Sequence, residues 1–233
     1  MTVTGQTGFV GKWDISMDIT VLCSDKNHPV MKSLRKWVDE VKSRNYNAAL
    51  VSDTEDLRSG DILFLVSCNQ VIAESIRKNF KVVLVLHASD LPKGRGWSPH
   101  VWSILSGATH ITVSLLEASD PVDSGDIWLK TEFVLEGHEL LPEINEKLFM
   151  AETNLMTRAI TEFNEIKPVR QKGDPGPYNK RRTPADSRLD PDKTIAEQFD
   201  LLRVADPERY PAFFEYRGSR YVVKLEKAEN HDR

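Results

Sequence analysis

The chain has 233 residues, and a sequence of this length can bury a full hydrophobic core. Its formal net charge is −4 and its pI is about 5.9, so no overall positive field attracts nucleic acid. The longest apolar runs are only as long as strands, and no basic start precedes an apolar stretch, which argues against a membrane helix and a secretory leader. We therefore expect a cytoplasmic protein without a membrane or nucleic-acid partner.

The elements are predicted from the spacing of apolar residues along the chain. Met17 directly precedes the first predicted strand, so residues 1–16 are interpreted as an extension that need not be the native start. Strands are predicted at 18–22, 48–51, 62–66, 82–86, 109–115 and 127–135, and a hairpin with a Gly-Ser centre at 213–223. Helices are predicted at 33–43, 71–77, 99–105, 139–166 and 194–204.

A change of composition follows the long predicted helix. Residues 167–193 are rich in proline and glycine and carry eight Lys or Arg against four Asp. This composition is typical of a loop, which here could flank an active site. The predicted domains are therefore a main domain at 17–166 and an extension of loop, helix and hairpin at 167–233.

The two cysteines, Cys23 and Cys68, both lie in strand-like segments. They lack CxxC spacing and neighbouring histidines, which argues against a metal site. Buried, reduced thiols are typical of such cysteines in a cytosolic protein, so we predict neither a disulfide nor a bound metal.

The most informative residue is His87, which directly follows the uncharged strand predicted at 82–86. A continuous aliphatic run predicts a strand buried on both faces, and open α/β sheets bind ligands at the carboxyl ends of such strands. A second segment, 120–127, offers carboxylates on a turn before another strand. A histidine and an acid at adjacent strand ends are a plausible proton-handling pair.

Two blocks of sequence carry a resemblance to a known family. The first is His-x-Ser-x-Leu-Pro-x-x-Arg-Gly-x-x-Pro at 87–99, followed by Asp-x-Gly-Asp-Ile at 123–127. The second runs from Arg181 through Phe214 and contains Arg-Arg-Thr-Pro-Ala-Asp-Ser and Tyr-Pro-Ala-Phe-Phe. Together they resemble the 10-formyltetrahydrofolate-dependent formyltransferases, and the second block is similar to enzymes that formylate nucleotide-linked aminosugars.

The resemblance implies a fold and a reaction. The fold would be α/β, with a doubly wound Rossmann-like sheet and a small C-terminal helix and hairpin. The reaction would move the formyl group of 10-formyltetrahydrofolate, as co-substrate, to the amine of a nucleotide-linked aminosugar, without a metal. His87 would support the tetrahedral intermediate, and Asp123 would help to carry away the proton of the attacking amine.

The resemblance also implies contacts with the folate. The residues expected beside the folate pterin lie in two loops: Asn69, Gln70, Val71 and Val122. From their residue types and the local charge, we expect Arg95, Trp97 and Arg182 to contact the acceptor. Arg95 suits phosphate geometry but could equally brace its own loop. Arg181 and Arg182 could contact a diphosphate or an RNA, and they could also lie in a solvated loop.

One position departs from the family pattern. The family places an asparagine two positions before the histidine, where it donates a hydrogen bond to the developing oxyanion. This chain has Val85 there, and losing one such donor typically costs about 10²–10³ in rate. Asn69, at the end of the preceding strand, is one candidate to supply the missing donor.

Three alternatives therefore remain open at the level of sequence. The acceptor could be an initiator tRNA, although the short, acidic chain disfavours RNA. The chain could be a folate-binding homologue that has lost turnover because of Val85, or it could hydrolyse the folate donor. The final hairpin and Phe213-Phe214 could also form the surface of a homodimer.

Overall fold

A computed structural model describes residues 17–228, so the extension predicted at 1–16 lies outside the described residues. The strands are β1 (Asp18–Leu22), β2 (Asn47–Val51), β3 (Gly60–Leu65), β4 (Phe80–His87), β5 (His110–Glu117), β6 (Ile127–Val134), β7 (Ala212–Tyr216) and β8 (Ser219–Val223). The α-helices are α1 (Met31–Ser43), α2 (Glu74–Arg77), α3 (Pro99–Leu105), α4 (Leu141–Thr161) and α5 (Phe199–Arg203).

Six of these strands form one sheet in the order β2-β1-β3-β4-β5-β6. The first four strands of that order are parallel, and β5 and β6 are antiparallel to their neighbours. The chain order reverses between β1 and β3, and open α/β sheets form their ligand crevice at such a point. The predicted α/β, Rossmann-like sheet with a C-terminal helix and hairpin is confirmed.

The two faces of the sheet are covered unequally. Helices α1 and α4 pack on one face and build the main core with the strands. Leu34, Trp37, Val38 and Val41 are all buried because their spacing places them on one side of α1. On the other face, the four-residue helix α2 and nearby loops cover a smaller core.

Strand β4 brings the candidate site residue to the ligand-binding edge of the sheet. It pairs with β3 as far as Val85 and with β5 as far as His87. Alternate residues of a strand point to the same face, so Val83, Val85 and His87 share the face opposite the main core. The side chain two positions before His87 is therefore its neighbour on the sheet.

Several predicted boundaries are wrong, among them that of the helix predicted at 194–204, because α5 begins only at Phe199. Helix α2 includes only the end of 71–77. Helix α4 is shorter than 139–166 because Pro142 lies in its first turn and the chain leaves the helix at Glu162. The hairpin turns at Arg217-Gly218 rather than at Gly-Ser. Both turn residues have positive φ, 50° and 79°, as the tight two-residue turn with right-handed strand twist requires.

The segment after α4 follows the ligand-binding edge of the sheet. Val169 pairs with Ile127, and further along Asn179 pairs with Gly96 in the loop after β4. The division into domains at residue 166 stays a prediction. No helix in the described part of the chain is long and apolar enough to cross a membrane.

Candidate active site

The imidazole of His87 is buried, and each of its ring nitrogens faces an oxygen atom. Its Nε2 atom lies 3.0 Å from the main-chain oxygen of Gly94. A carbonyl oxygen only accepts hydrogen bonds, so Nε2 carries a hydrogen and donates it. The other nitrogen, Nδ1, is therefore the atom that can gain or lose a proton without breaking this contact.

Asp123 faces that nitrogen, as the sequence predicted. Its Oδ1 atom lies 3.6 Å from Nδ1 of His87, and both side chains are buried. Its Oδ2 atom accepts a hydrogen bond of 2.9 Å from the main-chain nitrogen of Gly96. The backbone of Asp123 has a φ of 61°, a left-handed conformation that is uncommon for L-residues but that aspartate adopts more readily than most.

The arrangement of this pair suits proton transfer. If Nδ1 is bare, its lone pair faces a carboxylate, whereas a proton on Nδ1 turns the contact into an attractive ion pair. Asp123 and His87 can therefore hold between them a proton released by a ligand. Contacts of this kind often shorten only when the substrate is bound.

Val85 lies on the same face of β4 as His87 and is half-buried. Its cross-strand neighbours are Leu65 on β3 and Leu116 on β5, which are both buried apolar residues. The floor of the site beside His87 is therefore apolar and offers no side-chain donor at that point.

Asn69 is exposed, and its hydrogen bonds join it to Ser24, which follows β1, rather than to β4. Its Oδ1 atom accepts a hydrogen bond of 2.8 Å from the Ser24 hydroxyl, and its main-chain nitrogen donates to the same hydroxyl at 2.9 Å. These contacts join the residues that follow β1 and β3. A donor role for Asn69 toward His87 stays a prediction, and its present contacts point away from that strand.

The two loops proposed to contact folate lie together on the thinly covered face. Arg77 joins them because its Nη1 atom donates to the main-chain oxygen of Ile72 at 3.0 Å and its Nη2 atom forms an ion pair with Asp120. On these loops the apolar side chains of Val71 and Val122 are 71% and 44% exposed. Two exposed valines on adjoining loops suit a flat aromatic ring, while Gln70 is exposed beside Val71.

The three predicted acceptor residues lie on two segments that pair with each other. The main-chain nitrogen of Asn179 donates to Arg95 at 2.8 Å, and that of Trp97 donates back to Asn179 at 3.1 Å. The guanidinium of Arg181 lies 4.9 Å from the centre of the Trp97 ring. Arg182 follows directly, so the structure brings Arg95, Trp97 and Arg182 to the same edge as His87.

Two residues near the site were missed from the sequence. Gln171 donates from Nε2 to the main-chain oxygens of Asp123 and Gly125, at 2.9 and 2.8 Å. Tyr178 packs against Gly96, and partial burial together with the nearby Asp123 charge raises the pKa of its hydroxyl. Both belong to the irregular segment after α4, whose composition contained no pattern that pointed to them.

Within residues 17–228, no group of three or more His, Cys, Asp or Glu side chains is placed to hold a metal ion.

Comparison with known families identifies the region that contains the site. The profile of the family described as formyl transferase matches residues 18–160, which include His87 and Asp123. A methionyl-tRNA formyltransferase from Finegoldia magna is 29% identical over 135 residues, covering 58% of this chain and 44% of the relative. The chain spans about half the length of the curated relatives it matches.

Solved structures share the fold over almost the whole chain. A methionyl-tRNA formyltransferase from Clostridium thermocellum has a TM-score of 0.77 and 24% identity, covering 93% of this chain and 95% of that one. HypX from Aquifex aeolicus, in complex with tetrahydrofolic acid, has a TM-score of 0.74 and 20% identity, covering 91% and 38%. A sugar N-formyltransferase from Shewanella sp FDAARGOS_354 has a TM-score of 0.66 and 17% identity, covering 92% and 100%.

Proposed function

Because the chain belongs to the formyl transferase family, we propose that it moves the formyl group of 10-formyltetrahydrofolate to the amine of a nucleotide-linked aminosugar. The observation that carries this proposal is the buried contact between His87 and Asp123 at the end of β4, inside the matched region. Its support is geometric, because an acid and an imidazole converge where open α/β sheets bind their ligands.

The roles of this pair follow from its contacts. The neutral amine attacks the formyl carbon to give a tetrahedral intermediate, which collapses when the bond from that carbon to the folate nitrogen breaks and the folate nitrogen takes up a proton. The attacking nitrogen must in turn lose a proton. Asp123 and His87 together receive that proton, because the carboxylate stabilises the charge that appears on Nδ1. The Nε2 hydrogen of His87, now given to Gly94, is the donor that would turn to the developing oxyanion when substrate displaces this contact.

The donor would lie against the loops joined by Arg77. The exposed side chains of Val71 and Val122 would cover the pterin, and Asn69 and Gln70 would offer polar groups at its rim. The folate supplies an already activated formyl group, so the protein needs chiefly to position the reactants and stabilise charge. A structural relative binds tetrahydrofolic acid, which is consistent with this choice of donor.

The acceptor would approach from the side of the segment 178–182. Arg95 and Arg182 would contact its phosphates, and the Trp97 ring would pack against the base or sugar. A structural relative is a sugar N-formyltransferase of comparable length, of which this chain covers 100%.

A second candidate acceptor is initiator methionyl-tRNA, because curated relatives carry that activity in their names. The net charge of −4 disfavours it, since contacts with phosphates dominate RNA affinity. Val85 motivates the further alternatives of folate binding without turnover and of hydrolysis of the donor.

One assay separates these functions. The chain would be incubated with 10-formyltetrahydrofolate and, in turn, a panel of nucleotide-linked aminosugars and charged initiator tRNA. Formyl transfer to an aminosugar is the expected result, and transfer to the tRNA alone would replace the proposed acceptor. Formate release without any amine would indicate hydrolysis, and donor binding without product would indicate a binding protein.

We also propose that the protein acts in the cytoplasm, because Cys23 and Cys68 are both free thiols. Self-association through the hairpin β7-β8 remains part of the proposal, since Tyr216, Tyr221 and Val222 are exposed there.

A further inference from the structure

Strand β5 carries a polar side chain inside its buried, apolar stretch. Ser114 stands between Val113 and Leu115 and is fully buried. It pairs directly with His87 on β4, so the two side chains lie on the same face of the sheet. Burial of a hydroxyl is costly unless it has a hydrogen-bond partner, and that partner indicates what the residue does.

The hydroxyl of Ser114 binds the loop that follows β4. It donates to the main-chain oxygen of Ser89 at 2.7 Å. The buried Ser89 hydroxyl donates in turn to the main-chain oxygen of Lys93 at 2.9 Å. The next residue, Gly94, presents the carbonyl oxygen that lies 3.0 Å from Nε2 of His87. Two buried serines therefore connect β5 to the carbonyl that accepts the imidazole hydrogen.

Strand β6 binds the same loop at a second point. Lys130 on β6 pairs with Ser114, so it continues the row of paired residues that starts at His87. Its ammonium donates to the Asp90 carboxylate at 2.5 Å and to the main-chain oxygen of Leu91 at 2.7 Å. Side chains from the two strands beyond β4 thus bind the loop at residues 89, 90 and 91.

The position of this loop determines which ring nitrogen of His87 carries the hydrogen. A neutral imidazole has one N–H group, and the hydrogen bond made by one nitrogen sets the state of the other. The charged carboxylate of Asp123 would draw the hydrogen to Nδ1 if Nε2 had no acceptor. The Gly94 oxygen is the nearer of the two, at 3.0 Å against 3.6 Å. It therefore keeps the hydrogen on Nε2 and leaves Nδ1 free to take up a proton.

We propose that Ser114 and Lys130 are positioning residues for His87. They hold the loop so that the Gly94 carbonyl keeps the imidazole in the form with its hydrogen on Nε2. Formyl transfer needs this form, because Nδ1 is then the base and Nε2 is the donor for the oxyanion. The link to turnover rests on the proposed function, whereas the state of the ring does not.

The state of the ring is measured by nitrogen NMR of the imidazole in the free protein, without folate or acceptor. A ring nitrogen with a hydrogen and one without it differ in chemical shift. Neutral His87 should carry its hydrogen on Nε2 in the wild type, and part or all of it should move to Nδ1 in Ser114→Ala and in Lys130→Met. The matched control is Thr112→Val, which removes a half-buried hydroxyl from the same face of β5 and should keep the wild-type spectrum.

Turnover provides the second measurement. Ser114→Ala and Lys130→Met should each lower kcat by about tenfold to a hundredfold, as misplacement of a catalytic group does, with KM for the acceptor within twofold. Lys130→Arg keeps a charged donor and should retain more of the rate than Lys130→Met. The Lys130 side chain is 35% exposed, so this pair of variants tests the proposal even if Ser114→Ala does not fold.

Two results would overturn the proposal. One is a wild-type His87 that carries its hydrogen on Nδ1, and the other is a folded Ser114→Ala or Lys130→Met that keeps the wild-type ring state. If the ring state changes as expected but no aminosugar is formylated, the positioning role stands and the proposed acceptor falls. If aminosugars are formylated and the variants keep the wild-type ring state, the function stands and the positioning role falls.

Discussion

Gln171 donates hydrogen bonds from one amide nitrogen to the carbonyl oxygens of Asp123 at 2.9 Å and Gly125 at 2.8 Å. These contacts bind the turn in which Asp123 adopts its left-handed backbone, while the main-chain nitrogen of Gly96 binds its carboxylate. A residue from the irregular segment after α4 thus determines the geometry of the proposed catalytic pair.

Replacing Gln171 should disturb the chemical step more than substrate binding. In Gln171→Ala the turn loses both contacts, and a shift of about 1 Å in a catalytic group can cost about 10²-fold in rate. We expect kcat to fall by about tenfold to a hundredfold with KM for the acceptor within twofold. Steady-state kinetics would check this, with the exposed neighbour variant Lys172→Ala as control. A rise in KM at constant kcat would assign Gln171 to binding instead.

Val85→Asn should restore a side-chain donor beside His87. Val85 shares a face of β4 with His87, so an asparagine amide there could donate to the developing oxyanion. One such donor typically changes the rate by about 10²–10³-fold, so we expect kcat to increase by up to this factor. Val82→Asn makes the same change on the opposite face and should give no gain. Equal rates in Val85→Asn and the wild type would mean that another group already supplies the donor.

We expect that Gly96 cannot be replaced by a residue with a side chain, because the backbone of Asn179 lies too close to its Cα atom. A Cβ atom on Gly96 would lie 2.4 Å from the main-chain oxygen of Asn179. Gly96→Ala should therefore displace the segment, destabilise the protein by about 2 kcal/mol or more, and raise KM for the acceptor. Gly107 also has a positive φ but no atom within 4 Å, so Gly107→Ala isolates the backbone strain. Thermal unfolding would compare the two variants. If Gly96→Ala and Gly107→Ala lost similar stability, the close approach of Asn179 to Gly96 would not be the cause.

The sequence identified the parts of the fold that follow a regular pattern. The bounds of β1 were predicted correctly, and the strand predicted at 82–86 lies within β4, because apolar runs and alternation determine strands locally. The contact of His87 with Asp123 followed from the two motifs. The contacts of Gln171 and Tyr178 could not be predicted, since they join an irregular segment to a turn far away in the chain. The spacing of apolar residues within a segment contains no information about contacts between segments that are far apart in the chain.

Glu152 should make stability depend on pH. This carboxyl on α4 has no hydrogen-bond partner, and burial raises its pKa from 4.5 to about 8. The folded state therefore keeps a proton that the unfolded state releases above pH 4.5, so stability falls as the pH rises from about 4.5 to 8. Glu152→Gln cannot ionise and should be more stable than the wild type at pH 8, by about 2–4 kcal/mol.

Denaturant unfolding at pH 5 and pH 8 would measure this difference. The exposed variant Glu146→Gln on the same helix should behave like the wild type at both values. A wild-type chain whose stability does not fall between these pH values would show that Glu152 ionises normally.

The central claim is that His87 and Asp123 act together in formyl transfer. The most direct measurement is single-turnover transfer from 10-formyltetrahydrofolate to the best acceptor in His87→Ala, Asp123→Asn and the double variant. We expect the rate to fall by about 10²–10⁴ in each single variant, and the double variant to be little slower than either single one. Asp126→Asn in the same turn should keep the wild-type rate. Folded variants of His87 and Asp123 that transfer formyl within threefold of the wild type would contradict the account.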